Sequence, residues 1–375
     1  MTTSLSEPHT ALAIALARAD LAYLHGALMR PDDPTQRWVF LQYAVTTSYE
    51  PRRYFQVQVG VEAPEAPWPE ETATAARMSG KYFDDNRRFL SGVVDYFAEL
   101  IAANRSFFLP EARRARWLDR LRRDMAVLLL DGVPVVTNVG GFFTAGIQPS
   151  QVMDQDELGS RIHDLAAGVG QTIAWVGAPR DHRGPFEFNA EWFEWWDADA
   201  AEVLGEVFCG DFDAPLAVAM LTIQNAATAA DRLSRTDCCG ACQTAAIKHR
   251  MIVAYQSAVA LRHLLASNLS LSAAGATYLK QALNDPHCVK LLEPGYRKLR
   301  NGLLHLGLSD IPVAPGSALT TDAVLCYYTG EDSPTDVVDT IEGAIAATAR
   351  ALEGWCLTPP DGGIGLRAVL HRPPA

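Results

Sequence analysis

The chain has 375 residues, of which 49% are hydrophobic, and its formal net charge at pH 7 is −12. This apolar content suffices for one large or two ordinary cores, so we expect a folded protein of two domains and exclude a disordered chain. An acidic chain is not attracted as a whole to nucleic acid or to anionic membranes. Any RNA contact therefore needs a local basic surface.

The start of the chain does not have the pattern of a signal peptide. Residues 1–8 lack a basic segment, and the apolar run from Leu12 to Leu16 is short and soon followed by Arg18. We expect no membrane-spanning segment and no membrane partner. The seven cysteines are an odd number in a long chain, which indicates reduced thiols and a cytoplasmic protein.

The N-terminal part, residues 1–196, has the pattern of an α+β domain. Residues 55–61 alternate apolar residues with glutamine or glycine, which predicts a half-buried strand. The apolar runs Met125–Leu130 and Val133–Val139 flank Asp131-Gly132, a strong hairpin signal. We expect these three segments to form a small antiparallel sheet. Apolar spacing predicts helices over Thr10–Met29, Arg37–Val45, Glu70–Ala103, Glu111–Asp124 and Asp156–Trp175.

From Asp197 onward the pattern predicts helices with short connections. They extend over Asp197–Phe208, Ala214–Leu233, Cys242–Leu265, Ser272–Leu283, a segment near residue 300 and Pro334–Trp355. Residues 197–357 are therefore expected to form a helical bundle, and residues 358–375, rich in Pro and Gly, a tail. The glycine-containing stretch 140–146 lacks the Lys-Ser/Thr of a P-loop and is expected to be a turn. The predicted fold class is mainly α.

One segment, residues 293–307, combines helical spacing with a compact polar cluster. Pro294 suits the first turn of a helix, where its missing N–H costs nothing, and Gly307 suits the end. Apolar and polar residues fall on separate faces: Leu292, Leu299, Leu303 and Leu306 on one, and Glu293, Arg297, Asn301 and His305 on the other. The pattern predicts a short helix that packs with one side and displays the other.

Within this helix, Arg300-Asn301-x-x-x-His305 resembles the signature of the HEPN domain family, in which an Arg and a small polar residue precede a His. The resemblance covers one short helix and the helical-bundle pattern, and it implies an HEPN-like C-terminal bundle. Active members of that family cleave RNA without metal and join two copies of the motif across a homodimer. The resemblance therefore implies an endoribonuclease of a bacterial toxin or antiviral defence system.

The motif residues have suitable chemistry for this reaction. Imidazole transfers protons near neutral pH, so His305 is the candidate acid or base for the 2′-hydroxyl and the leaving oxygen. Arg300 is the candidate phosphate ligand, and Asn301 is placed to orient the phosphate or bind ribose. Five helical residues put Arg300 on a different face from His305, so it must reach across or a neighbouring chain must supply the donor. A looser match, Arg18 with His25, lacks the polar residue.

The helix predicted over residues 111–124 is the most basic segment. Four arginines at helical spacing share one face: Arg113, Arg116, Arg120 and Arg123. This face is the candidate RNA-binding surface, since it can follow a line of phosphates. The alternative is an exposed face whose arginines pair with carboxylates of the same acidic protein.

Cysteines form a second candidate site. Cys239 and Cys242 have the spacing of half a zinc site, and His249, His287 or Cys288 can complete it, although no second Cys-x-x-Cys is present. The cysteines also lie near the start of a predicted helix, where the thiolate is favoured. The open alternatives are zinc ligands, a redox pair and ordinary packing residues. RNA cleavage of the HEPN type itself requires no cofactor.

An aromatic run from Phe186 to Trp196 alternates large rings with acidic residues. It either packs one domain on the other or forms a surface for a protein partner. Two functions compete with the nuclease interpretation. One is an HEPN-like bundle that dimerises or binds a partner without cleaving. The other is a small-molecule biosynthetic enzyme, with or without zinc, whose pocket lies between the two halves.

Overall fold

The structure is a computed structural model that describes residues 7–29, 34–62, 87–108, 123–178, 190–234, 241–267 and 269–371. Within these ranges the chain forms fifteen α-helices and three β-strands. The mainly helical fold predicted from the sequence is therefore confirmed. Most of the helix predicted at 111–124 and the first part of the helix predicted at 70–103 lie outside the described ranges.

The three strands lie among the helices of the N-terminal half, and in the described ranges only helices follow β3. The helices of the N-terminal half are α1 (Glu7–Met29), α2 (Leu41–Tyr54), α3 (Arg87–Phe108), α4 (Asn138–Ala145), α5 (Pro149–Val152) and α6 (Gln155–Val176). The strands are β1 (Met125–Leu130), β2 (Val133–Thr137) and β3 (Phe193–Ala198). The helices of the C-terminal half are α7 (Ala200–Glu206), α8 (Ala214–Leu233), α9 (Ala241–Ala266), α10 (Ala273–Leu283), α11 (Pro286–Leu291), α12 (Pro294–His305), α13 (Thr321–Thr329), α14 (Pro334–Leu357) and α15 (Leu366–Leu370).

The sheet has the order β2-β1-β3, and both pairs are antiparallel. The predicted β1–β2 hairpin is confirmed. Asp131 and Gly132 join its strands with φ angles of 51° and 77°, and two positive φ angles are what a tight hairpin turn needs. The third strand, β3, comes from the aromatic run, where no strand was predicted. Leu128 of β1 pairs with Val136 on one side and Trp195 on the other.

The strand predicted at residues 55–61 is wrong. The chain continues from α2 into a π-helical turn, Phe55–Val59, which ends at Gly60 with φ 72°. Phe55 is buried edge-on against Trp175, with ring centroids 5.7 Å apart, whereas Val57 is 68% exposed. In a half-buried strand these alternate residues would share one buried face. The packing of Phe55 against α6 outweighs the local preference of the valines for extended structure.

The turn predicted at residues 140–146 is also wrong, because α4 occupies it. Thr137 caps the helix by accepting a hydrogen bond from the Gly140 amide at 3.1 Å. The glycines serve close packing instead of a turn. A Cβ atom at Gly140 would lie 2.9 Å from Oγ1 of Thr222, and one at Gly141 would lie 3.1 Å from the ring of Trp38.

The two halves of the chain meet along the helices that carry the candidate site. α1 packs along α9, and α2 packs against α12. The largest apolar core cluster contains residues of both halves, among them Leu16, Phe97, Met251 and Leu303. The predicted domain boundary at residues 196 and 197 stays a prediction, and the apolar core crosses it.

Both ends of the described chain are packed. By length and composition α1 is apolar enough to cross a bilayer, and 67% of its apolar window is buried inside the protein. Core helices and signal sequences share this property, so it does not decide between them. At the other end, the predicted tail contains α15, whose Leu366, Val369 and Leu370 are buried and which packs against α7 and β3.

Candidate functional site

The predicted motif helix is present as α12. Pro294 occupies its first turn, and Leu306, in the left-handed region with φ 56°, ends it one residue before Gly307. Leu299, Leu303 and Leu306 are buried, so the predicted apolar face is confirmed. Arg297 and Asn301 on the predicted polar face are exposed.

Arg300 faces the interior of the bundle. The residue is 4% exposed, although it carries a full positive charge. Its guanidinium carbon lies 6.0 Å from the ring centroid of Tyr255 on α9, which is within cation–π range. Its Nη1 donates a hydrogen bond of 2.9 Å to Oδ1 of Asn301. The structure therefore joins Arg300 to Asn301, and so little of Arg300 is exposed that a substrate phosphate cannot meet it directly.

The contact with Arg300 fixes the direction of the Asn301 amide. A guanidinium only donates hydrogen bonds, so the amide oxygen must face Arg300 and the NH₂ group points away. Asn301 is exposed and lies one helical turn before His305 on the same face. The NH₂ group is thus a donor on the surface that carries His305.

His305 pairs with a carboxylate from the other half of the chain. Its Nδ1 lies 2.9 Å from Oε2 of Glu50 on α2. The Glu50 side chain is 6% exposed and that of His305 is 35% exposed. The carboxylate is thus held inside, while the imidazole reaches the surface. We call His305 and Glu50 the dyad.

The dyad defines which imidazole nitrogen is basic. An ionised carboxylate only accepts hydrogen bonds, so Nδ1 of His305 carries the hydrogen. In the neutral ring Nε2 then holds the lone pair. Among the described residues the ring makes no other hydrogen bond. A histidine held at Nδ1 by a carboxylate, with Nε2 available, is the arrangement of a general base that later acts as an acid.

Arg53 provides a cation beside the dyad. Its Nη1 lies 3.9 Å from Oε2 of Glu50, the oxygen that also binds His305, and its side chain is 48% exposed. At this distance and exposure the ion pair with Glu50 is weak. The guanidinium is therefore available to an anion that approaches His305.

Sequence reasoning missed Glu50 and Arg53. Glu50 is 255 positions from His305, and no local pattern links the two. The one feature that could have pointed to Glu50 is its position on α2, where Tyr43, Thr47 and Tyr54 are buried at helical spacing. A carboxylate on a buried helical stripe needs a partner, because an isolated buried charge is costly.

A small cavity of about 30 Å³ lies beside the dyad between α2 and α9. Glu50 and Leu304, the neighbour of His305, both line it. We call it the α2–α9 cavity. Its partly exposed residues are Gln42, Thr46 and Gln256, which places them at the mouth. The cavity lies between residues of the two halves of the chain.

The deep end of the α2–α9 cavity holds a buried ion pair. Nζ of Lys248 donates to Oδ2 of Asp20, and the hydroxyl of Tyr43 lies 3.5 Å from Oδ1. Burial raises the pKa of the Asp20 carboxyl, and the Lys248 ammonium opposes that rise. Burial and the Asp20 charge raise the pKa of Tyr43 well above its usual value. In the sequence, Asp20 lies four residues after Leu16 and so falls on the apolar side of α1. This position was the available sign that its carboxylate is buried.

His249 also lines the α2–α9 cavity. Burial, with the charge of Arg250 nearby, lowers its pKa to about 3, so the ring is neutral at pH 7. Its ring centroid is 4.3 Å from that of Tyr43. Its Nδ1 atom is buried and makes no hydrogen bond to the described part of the chain.

The predicted zinc ligands are only partly described. Cys239 lies outside the described residues, while Cys242 and His249 are both buried on α9. Seven helical residues separate these two by about 10 Å along the axis, which is far for two ligands of one ion. Within the described ranges no group of three or more His, Cys, Asp and Glu side chains is arranged to hold a metal. The zinc site stays a prediction.

Two predicted surfaces are also only partly described. Arg113, Arg116 and Arg120 lie outside the described ranges, and Arg123 is partly exposed just before β1. In the described part of the aromatic run, Trp192 and Trp195 are 36% and 43% exposed. The RNA-binding face and the partner surface stay predictions.

Comparison of the chain with protein-family models, with curated proteins and with solved structures gives no match.

Proposed function

We propose that the chain is a metal-independent endoribonuclease whose proton-transfer group is His305 held by Glu50. The observation that carries the proposal is the 2.9 Å contact between Nδ1 of His305 and Oε2 of Glu50. It leaves Nε2 as the basic nitrogen at a surface position. The resemblance of the Arg300-Asn301-x-x-x-His305 motif to the HEPN signature supports the same activity and a toxin or defence role.

The proposed reaction is an internal transesterification of RNA. Nε2 of His305 removes the proton of a 2′-hydroxyl, and the 2′ oxygen attacks the adjacent phosphorus. The bond from phosphorus to the 5′ oxygen breaks, and the imidazolium returns the proton to that oxygen. The products are a 2′,3′-cyclic phosphate and a 5′-hydroxyl, and no water or metal enters the balance. The Glu50 carboxylate stabilises the transient imidazolium.

Arg53 and Asn301 are the proposed ligands of the phosphate and ribose. Arg53 approaches the same Glu50 oxygen as His305, at 3.9 Å, and a guanidinium binds phosphate with two parallel donors. The outward NH₂ group of Asn301 adds a neutral donor one turn away. Arg300 acts through Asn301 as a positioning residue. This assignment supplies the cation from the same chain, so the proposed homodimer is not needed to complete the site.

The test uses short single-stranded RNAs of mixed sequence in excess chelator, with products identified by mass. We expect cleavage to a 2′,3′-cyclic phosphate and a 5′-hydroxyl, because the nucleophile is the 2′ oxygen. An RNA with one deoxyribonucleotide at the preferred site should not be cut there. Cleavage of the DNA form of the same sequence, or products that appear only with a divalent metal, would contradict the proposal.

A further inference from the structure

Polar residues share the outer side of α12. Arg297, Lys298 and Asn301 are exposed, and His305 is partly exposed. An α-helix turns by about 100° per residue, so these positions lie within an arc of about 100° on the side opposite the buried leucines. We call the four residues the α12 strip. His305 of the dyad forms one end of the strip, and two cations form the other end.

The two cations of the strip are available to an anion. Neither Arg297 nor Lys298 forms an ion pair with any residue of the described ranges, although Glu293 lies one turn before Arg297. The net charge of the chain is −12, so the protein as a whole repels a polyanion. Two unpaired cations on the helix face of the dyad therefore form a local basic surface of the kind that RNA requires.

The spacing along α12 suits the backbone of one RNA strand. Lys298 and Arg297 precede His305 by seven and eight residues, which corresponds to about 10–12 Å along the helix axis. Successive phosphates of a stacked strand advance by about 3.4 Å. A strand that places one phosphate at His305 and Arg53 therefore brings about the third phosphate from it to the two cations. The exposed amide of Asn301 lies between these two positions.

Carboxylates beyond the two ends of the strip limit the path of a strand. Glu293 is exposed one turn before Arg297, and Asp310 is the first charged residue after His305 and is also exposed. Both carboxylates repel phosphate. A strand that follows α12 is therefore held on one side of the dyad only, along the length between His305 and Arg297.

We infer that the α12 strip binds the backbone of one RNA strand on one side of the cut. The scissile phosphate lies at His305 and Arg53, and about the third phosphate from it lies at Arg297 and Lys298. That the strand is RNA rests on the proposed nuclease function. An RNA that ends before the third phosphate loses the contacts with the two cations, so the site requires an extended strand.

The first experiment measures binding separately from cleavage. A fluorescent octanucleotide with 2′-fluoro groups on all riboses has no attacking oxygen, and its affinity is measured by anisotropy at several salt concentrations. The test variant is Arg297→Gln/Lys298→Gln. The control is Arg105→Gln/Lys280→Gln, which removes the same charge from exposed positions on α3 and α10.

We expect the parent to bind this RNA analogue and the test variant to bind it at least about tenfold more weakly at low salt. The slope of log affinity against log salt should become shallower by about 1.4, because each phosphate contact on a single strand contributes about 0.7. The control should keep the affinity and slope of the parent. Circular dichroism and melting check the folding. Lys298→Gln, with half the change in slope, carries the test if the double variant does not fold.

Three binding results overturn the inference. They are an unchanged slope in the test variant, an equal loss in the control, and a parent that does not bind the analogue.

The second experiment measures how cleavage depends on the length of the RNA. One ribonucleotide in a strand of 2′-fluoro nucleotides defines the cut, and the strand is lengthened stepwise on its 5′ or its 3′ side. For the parent, kcat/KM should rise up to about the third phosphate on one side and stay constant on the other, because the cations lie on one side of the dyad. The test variant should lose this rise. A rise on both sides, or a rise that the test variant keeps, contradicts the inference.

The two experiments separate the strip from the nuclease. Binding that depends on the strip, without cleavage of any RNA, keeps the strip and rejects the nuclease. Cleavage that is the same in the parent and the test variant at every length rejects the strip and keeps the nuclease.

Discussion

At the scale of single residues, the three motif side chains have different surroundings and therefore different expected roles. Arg300 is buried at 4% exposure, Asn301 is exposed and His305 is partly exposed. A buried guanidinium that holds an amide acts on structure first. An exposed guanidinium beside the dyad, such as that of Arg53, is the one that we propose binds the substrate.

This difference gives a prediction for two arginines. Arg53→Ala should lower kcat about 100-fold, as loss of one donor to a developing charge does, with little change in the free energy of unfolding. Arg300→Ala should lower that free energy by about 1–3 kcal/mol because it removes a charged hydrogen bond and a ring contact. Urea unfolding and cleavage rates are measured on both, with Arg105→Ala, at an exposed position on α3, as the control. Equal losses of stability from Arg53→Ala and Arg300→Ala would contradict the assignment.

His249 predicts a pH dependence of stability. Its pKa is about 3 in the folded chain, below the usual 6.5 of an unfolded histidine. Between these values the unfolded chain binds the extra proton, so stability is present above pH 6.5 and is lost as pH falls toward 3. Urea unfolding at several pH values should give a slope of up to about 1.4 kcal/mol per pH unit that His249→Gln removes.

The control for this titration is the exposed His163 on α6. His163→Gln should keep the slope of the parent, because the slope comes from the burial of the His249 ring, which disfavours its charged form. If His249→Gln and the parent lose stability in parallel as the pH falls, the ring is not held neutral by burial.

At the scale of elements, the stability of the fold is expected to depend on the backbone conformation of the β1–β2 turn. Gly132 has φ 77°, and a Cβ atom there would lie 2.3 Å from Nη2 of Arg367. Gly132→Ala should therefore lower the melting temperature, by the equivalent of about 1–2 kcal/mol. Gly159→Ala on α6, where nothing lies within 4 Å of the added Cβ, should stabilise by about 0.5–1 kcal/mol. A Gly132→Ala variant as stable as the parent, or a Gly159→Ala variant that loses stability as Gly132→Ala does, would contradict this account.

The elements that were predictable are those with local causes. Asp131-Gly132 encodes its hairpin because the turn conformation depends on those two residues. α12 was predictable because its apolar period and its first proline are local as well. The strand prediction for residues 55–61 was wrong because the alternation is a local pattern. The contact that decides the conformation joins Phe55 to Trp175, which is 120 positions further along the chain. β3 was missed because its pairing with β1 is a long-range property.

At the scale of the whole molecule, the Asp20–Lys248 pair joins the two halves of the chain. Lys248→Met leaves the Asp20 carboxylate buried without its cation, so the free energy of unfolding should fall by about 3–5 kcal/mol. The double variant Asp20→Leu/Lys248→Met should recover most of this loss, since an apolar pair of similar size needs no desolvation of charge. Chemical unfolding of the parent, the single and the double variant gives these values. A double variant no more stable than Lys248→Met would contradict this account.

The candidate site depends on the same long-range packing. The motif supplied His305 and Asn301 from a local pattern of residue types. Glu50, Arg53 and the α2–α9 cavity come from α1 and α2 meeting α9 and α12, which no spacing within one helix encodes. The buried state of Arg300 likewise follows from its contact with Tyr255 on another helix.

The most direct test of the dyad is the cleavage rate of a labelled single-stranded RNA in chelator, compared among the parent and three folded variants. His305→Ala should slow cleavage by about 10²–10⁴-fold, since it removes the proton-transfer group. Glu50→Gln should be similarly slow, because an amide NH₂ donates to Nδ1 and moves the ring hydrogen to Nε2. His25→Ala, at the looser Arg18–His25 match, should cleave like the parent. A parent that leaves varied RNAs intact, or a His305→Ala variant as fast as the parent, would contradict the account.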